Sequence, residues 1–150
     1  MRYARDILAK KGHQVASAYT DQTVLDAAKL MNDRRIGCLV VTRGETVVGI
    51  FSERDILTRV VAEQRDPATT KVGEVMTTPC VVVTPDTELE QCQAIMSEKR
   101  IRHLPVVDEG RLVGIISSGD IMASQKVELE AAVQMLHEYI YGDAPGVSGS

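Results

Sequence analysis

The chain repeats itself. Residues 24–56 align without a gap on residues 89–121, a shift of 65 positions, and 11 of the 33 pairs are identical, where ordinary composition would give about two. The identical pairs are Met31/Met96, Arg35/Arg100, Ile36/Ile101, Leu39/Leu104, Val41/Val106, Val48/Val113, Gly49/Gly114, Ile50/Ile115, Ser52/Ser117, Asp55/Asp120 and Ile56/Ile121. Such a duplication means that one supersecondary unit has been used twice. The 150 residues allow one domain, and half of them would bury too little surface to stand comfortably alone. The two copies are therefore expected to share a core.

Each copy reads in the order β-α-β-β-α, which predicts small mixed sheets backed by helices in an α+β (mixed α/β) class. A lead-in segment over residues 3–10 carries Asp6-Ile7-Leu8, echoed by Glu74-Val75-Met76 before the second copy. Val15 to Thr20 alternates weakly as a strand. Thr20 to Thr23 offers oxygens that can cap a helix whose Val24, Ala27, Ala28 and Met31 share one face. Cys38 to Thr42 and Val47 to Phe51 flank a Gly-containing turn and read as a strand pair. Ser52 to Asp55 opens a helix running to about Glu63, and Pro67 breaks the polar linker after it.

The second copy replays this order. Val81 to Thr84 is the first strand, Leu89, Cys92 and Met96 mark a helix face, and His103 to Val107 and Leu112 to Ile116 are the strand pair. Domain boundaries follow at 3–64 and 71–123, with a C-terminal helix over 124–141 and a flexible tail over 142–150. Leu129, Val133, Leu136 and Ile140 give that helix its own apolar stripe, to cap the core or, as the preferred reading, to contact a second subunit.

Composition excludes several classes. With 17 Lys and Arg against 21 Asp and Glu, and no long run of one sign, a nucleic-acid footprint is not indicated. No stretch approaches the roughly 18 to 20 apolar residues of a membrane span, and the N-terminus lacks the apolar run of a secretory signal. Three cysteines without paired spacing predict neither a disulfide framework nor a metal site, and point to a reducing cytoplasm. With one Phe, four Tyr and no Trp, the core must be aliphatic, and Met31 and Met96 belong to its packing.

Catalytic signatures are missing. There is no Gly-rich phosphate loop, Ser117 and Ser118 lack the glycines of a nucleophile elbow, and the His137-Glu138 pair is followed by Tyr141 where a zinc helix needs His. No enzyme is expected. The recurrent polar signal is Gly-h-h-Ser-x-x-Asp (h, apolar), at Gly49 to Asp55 and at Gly114 to Asp120. A strand turning into a helix aims a hydroxyl and free N–H groups at one spot, which suits phosphate. A carboxylate three residues on can accept from the vicinal hydroxyls of a ribose. The same pattern is equally a helix-capping arrangement. Arg102 and His103 can supply cationic or donor groups to an anion. Their counterparts are Gly37 and Cys38, with Arg54 the nearest compensating charge, so the two sites are expected to be unequal. Cys38 reads as a small buried residue rather than a thiol sensor.

These pieces resemble the CBS-domain family, specifically a tandem pair forming one Bateman module. Arg-Ile-x-x-Leu-x-Val, the turn, Val-Gly-Ile-x-Ser-x-x-Asp and the lead-in segments together cover residues 3–123. The stand-alone form is similar to small bacterial signal-transduction CBS proteins and their organellar relatives in plants. The resemblance implies a non-catalytic regulatory module with two clefts for an adenosine ligand: AMP, ADP, ATP, NAD or S-adenosylmethionine. It implies that Asp55 and Asp120 hold ribose and that Ser52 and Ser117 meet phosphate, with Thr20 and Thr84 nearby. Gly37, Cys38, Arg102 and His103 would line the pocket, and the backbone at Ile36 and Ile101 would contact adenine. The first copy has Val40 where the second has Pro105, a pocket position of the motif. The implied partners are a second copy in a homodimer and an effector protein in trans. A structural dimerisation module with vestigial clefts and a nucleotide-hydrolysing enzyme are the alternatives.

Overall fold

The computed structural model describes residues 1–141; the tail expected over 142–150 lies outside the described residues. The chain runs α1 (Ala4–Lys11), β1 (Ser17–Tyr19), α2 (Val24–Arg34), β2 (Cys38–Arg43), β3 (Thr46–Ser52) and the short α3 (Glu53–Asp55), which widens into a π-helix over Ile56–Val61. Then come α4 (Val72–Val75), α5 (Leu89–Lys99), β4 (His103–Asp108), β5 (Arg111–Ser117) and α6 (Ser118–Tyr141). In the first copy β1 pairs parallel with β2, and β2 antiparallel with β3. In the second copy β4 and β5 form an antiparallel pair, and Val83 alone bridges Val106 in parallel where β1 has its counterpart. The expected strand over Val81 to Thr84 is thus reduced to one bridge. The expected α-helix to Glu63 is α-helical for one turn only.

Why the helices stop where they do is visible in the identities. Arg35 and Arg100 end α2 and α5 in the left-handed conformation, at φ 53° and 55°. The amides of Ile36 and Ile101 then reach back to the carbonyls of Met31 and Met96, both at 3.0 Å. This is a Schellman close, in which the residue after the left-handed one also packs against the last turn. Three of the repeated pairs are accounted for by this one device. At the other end of α2, Thr23 Oγ1 accepts from the Asp26 amide at 3.1 Å, the cap expected from the sequence.

The core is two apolar clusters rather than one, aliphatic except for Phe51 in the first. Ala18, Val24, Ala27, Met31, Leu39, Val41, Phe51 and Val60 are joined by Val72 and Val75 of α4. Val83, Leu89, Cys92, Met96, Leu104, Val106, Ile116 and Ile121 are joined by Ala4, Ile7 and Leu8 of α1. Each lead-in helix therefore completes the core of the other copy. The hydrogen bonds repeat the exchange: Ala4 N–H to Thr87 O (2.9 Å) and Arg5 N–H to Pro85 O (3.0 Å) on one side, Val72 N–H to Gln22 O (2.8 Å) and Gly73 N–H to Thr20 O (2.9 Å) on the other. Each buried Val, Leu or Ile contributes about 1.5–3 kcal/mol, so both helices are bound firmly to the copy they do not precede. Gly49 and Gly114 make this possible. A Cβ at Gly114 would lie 2.5 Å from Leu8 Cδ2, and one at Gly49 would lie 2.7 Å from Met76 Sδ.

The C-terminal helix expected over 124–141 is no separate element: α6 runs unbroken from Ser118. Its stripe does not cap the core, because Leu129, Val133, Leu136 and Ile140 are 65, 58, 57 and 61% exposed.

Candidate functional site

Both Ser-x-x-Asp motifs fold as caps at a strand-to-helix corner. In the second copy the Ser117 amide donates to Asp120 Oδ2 at 2.8 Å and the Asp120 amide donates to Ser117 Oγ at 3.0 Å. In the first, the Ser52 amide donates to Asp55 Oδ2 at 2.9 Å and the Asp55 amide to Ser52 Oγ at 3.3 Å. The reciprocal pair satisfies two free donors of the first turn, and so the capping alternative is realised in both copies.

The carboxylates nevertheless differ. Asp55 is 5% exposed. Its Oδ1 accepts from Thr77 Oγ1 at 3.0 Å and lies 3.7 Å from Arg59 Nε, while Oδ2 also accepts from the Ser52 hydroxyl at 3.2 Å. Both oxygens are committed within the fold. The Asp120 side chain is 24% exposed. Among the described residues its hydrogen bonds fall on Oδ2 alone, from Ser117 and from Lys11 Nζ at 2.7 Å. Burial works to raise the Asp120 pKa, but the Lys11 ammonium and the Ser117 amide outweigh it and hold the carboxyl below its ordinary value.

Lys11 was not among the residues singled out from the sequence. It reaches the site from α1, 109 positions away, and also donates to the Ile115 carbonyl at 3.0 Å. Its charge lowers the pKa of His103, where the main cause is burial, and opposes the burial that pushes the Cys38 thiol up to about 11. Lys11 thus ties α1 to the second copy's corner, and its charge is felt at the strand openings of both copies. His103 lies opposite Ser117 in the β4–β5 ladder, and Cys38 opposite Ser52 in β2–β3. Arg59 and Thr77, which close the first copy, were likewise not singled out.

The remaining residues divide by place. Arg54, Ile101 and Arg102 line a cavity of about 470 Å³ together with Ser97, Arg100 and Ser118, so the first copy lends an arginine to a second-copy recess. Ile36 and Ile101 pack against their own clusters. Gly37 sits at the mouth of β2, where its carbonyl accepts from the Glu53 amide at 3.0 Å. Pro105 is buried in β4 and its carbonyl holds the Val83 bridge at 3.0 Å. Thr20 and Thr84, the two threonines expected near the ligand, do not hold equivalent positions in the two copies. Thr20 matches Pro85, since both carbonyls receive a lead-in helix. Thr84 matches Tyr19, whose amide is likewise closed by a side chain three residues on, at 2.7 Å from Gln22 and 3.0 Å from Thr87. Among the described residues no three His, Cys, Asp or Glu side chains are grouped to hold a metal ion, and no helix is long and apolar enough to cross a membrane.

Comparison with known proteins agrees with this architecture. The family model of the CBS domain matches residues 4–62 and again 72–126. The mitochondrial CBS domain-containing protein CBSX3 of Arabidopsis thaliana is 35% identical over 146 residues, spanning 91% of this chain and 71% of that one. A solved structure from Burkholderia ambifaria, named for signal transduction and for its CBS domains, superposes with a TM-score of 0.76 at 38% identity, covering 83% of this chain and 93% of the other. The hexameric CBS-CP12 protein of bloom-forming cyanobacteria superposes at 0.72 with 34% identity, over 93% of this chain and 86% of that one.

Proposed function

The chain belongs to the CBS-domain family, and on that premise we propose that it is a non-catalytic regulatory module that binds an adenine nucleotide in its second-copy site. Proteins of this family are commonly regulatory, and some assemble into oligomers, as the hexameric relative's name states. The observation that carries the reading is the contrast between the two carboxylates. Asp120 keeps Oδ1 uncommitted, with Lys11 on its Oδ2 and His103 across the ladder from Ser117, whereas Asp55 is spent on internal partners. A ribose hydroxyl donates to Asp120 Oδ1, and phosphate accepts from the Ser117 hydroxyl, Arg102 and Lys11. The ligand is AMP, ADP, ATP, NAD or S-adenosylmethionine. The module works as a homodimer in the cytoplasm, and its bound and free forms differ in affinity for an effector protein in trans.

A thermal-shift screen against those five compounds tests this, since a ligand at 100 times its dissociation constant adds about 2.7 kcal/mol of stability. Calorimetry on variants then assigns the site. Asp120→Ala is expected to weaken binding at least about tenfold, the loss of one charge-assisted hydrogen bond, while Asp55→Ala lowers stability and leaves affinity alone. Unchanged affinity in Asp120→Ala removes the residue from the site. The closed state of Asp55 favours a second reading, a dimerisation scaffold with vestigial clefts, and a screen in which no compound shifts the melting temperature selects it.

A further inference from the structure

Helix α6 has two faces, and the chain uses one of them. Ile121 and Ser124 are buried against the body, the Gln125 amide nitrogen donates to Gln93 Oε1 at 3.1 Å, and Glu128 pairs with the Met1 amino group. Met122 and Leu129, about a quarter turn round the helix, are 64 and 65% exposed, with Met122 also lining the cavity shared with Arg102. Beyond Glu128 the helix has left the body, and every residue from Leu129 to Tyr141 is exposed. That is the length at which an isolated helix is marginal in water, about 12–15 residues. An unsupported extension carrying Leu129, Val133, Leu136 and Ile140 needs a partner.

The spacing names its type. Met122, Lys126, Leu129, Val133, Leu136 and Ile140 alternate by four and three, so Met122, Leu129 and Leu136 occupy d positions of a heptad and Lys126, Val133 and Ile140 occupy a. An a/d stripe is a coiled-coil seam, here with Val127, Met135 and Tyr139 also exposed outside it, and β-branched residues at a with Leu at d favour two parallel strands. Lys126 is the one charged layer, and a lone Lys at a fixes register at a cost in stability. Glu130, four residues on, lies beside it on the same helix and offsets its charge. The body-facing residues fall at c, f and g, so the seam continues outward on the face that the fold leaves free.

We propose that α6 zips in parallel and in register against α6 of a second copy, from Met122 to Ile140, holding the two bodies on the same side. This goes beyond the nucleotide reading and uses only its self-association. The test is disulfide trapping in the full chain with Cys80→Ser, because Cys38 and Cys92 are buried. Under oxidised glutathione, Leu136→Cys is expected to give a covalent dimer quantitatively, and Glu138→Cys, on the outer face, to give little. Equal rates at the two positions would overturn the proposal, as antiparallel pairing over the same span sets residue 136 against residue 126. Sedimentation equilibrium supplies the second measurement. The double variant Val133→Glu, Leu136→Glu should raise the dimer dissociation constant by roughly 100-fold or more, since two apolar layers become unpaired charges. An unchanged constant, a monomeric parent protein or a trimer would each refute it. Nucleotide affinity, measured on the same samples, is expected to stay with the body in every case, so the two readings fail separately.

Discussion

An alanine at Gly114 would set its Cβ 2.5 Å from Leu8 Cδ2 and 2.8 Å from Cδ1, closer than carbon atoms approach without something shifting. Gly114 is absent from the positive-φ glycines, so the obstacle is space alone. Leu8 is fully buried within the second cluster and cannot swing outward. Overpacking of this kind costs about 1–3 kcal/mol, against about 0.4–1 kcal/mol regained from a less flexible unfolded chain. Gly114→Ala should therefore destabilise by about 1–2 kcal/mol. Leu8→Ala alone should cost about 2–5 kcal/mol as a cavity. In the double variant the added methyl enters that cavity, so the pair should be less destabilised than the sum by about 1–2 kcal/mol. Urea unfolding followed by far-ultraviolet circular dichroism is the assay, the chain having no Trp to report by fluorescence. Additivity within about 0.5 kcal/mol, or a stabilised Gly114→Ala, would refute the claim that α1 docks through this contact.

Three further outcomes follow from the same geometry. Lys11→Met removes the ammonium that keeps the Asp120 pKa low. The stabilisation by Lys11 is present above the ordinary carboxylate value of 3.8 and disappears as acid protonates the folded group, so the difference in urea midpoint between parent and variant should shrink toward zero in acid. The His103 pKa is depressed, chiefly by burial, so the unfolded chain takes up the proton first and stability falls as pH drops below 6.5; His103→Gln should flatten that part of the stability curve. Arg35→Gly removes a left-handed arginine, which costs about 1–2 kcal/mol, at the expense of some unfolded-state entropy. A rise in stability of roughly 0.5–1 kcal/mol is expected by thermal unfolding, and a fall would contradict the helix close described for α2.

Much of the fold is legible because its determinants are local. The strand pairs, the Thr23 cap and the Val24, Ala27, Met31 stripe all depend on residues within a few positions of one another. The duplication itself is legible, yet its identities have structural reasons that the alignment does not give. Met31, Arg35 and Ile36 close a helix, Gly49 makes room for Met76, and Ser52 with Asp55 cap a corner. What escaped the sequence is carried by distant partners. Nothing near Asp6-Ile7-Leu8 says that α1 will leave its own repeat, and so nothing places Lys11 on Asp120. Thr77 and Arg59 turn Asp55 into a buried structural group by the same logic, and a motif shared by both copies gave no warning of that difference. The mismatch of Thr20 and Thr84 has a similar origin. The two lead-in helices sit at a shift of 68 rather than 65, and only the docking bonds reveal which residues correspond.

The exchange of lead-in helices makes the molecule indivisible. Cutting the polar linker before Thr70 would yield two fragments, each carrying a helix it cannot use and lacking the one its core requires. Neither could mature alone, but mixed together they should rebuild the whole by complementation, whereas a single half, at any concentration, meets in its neighbours only the helix it already carries.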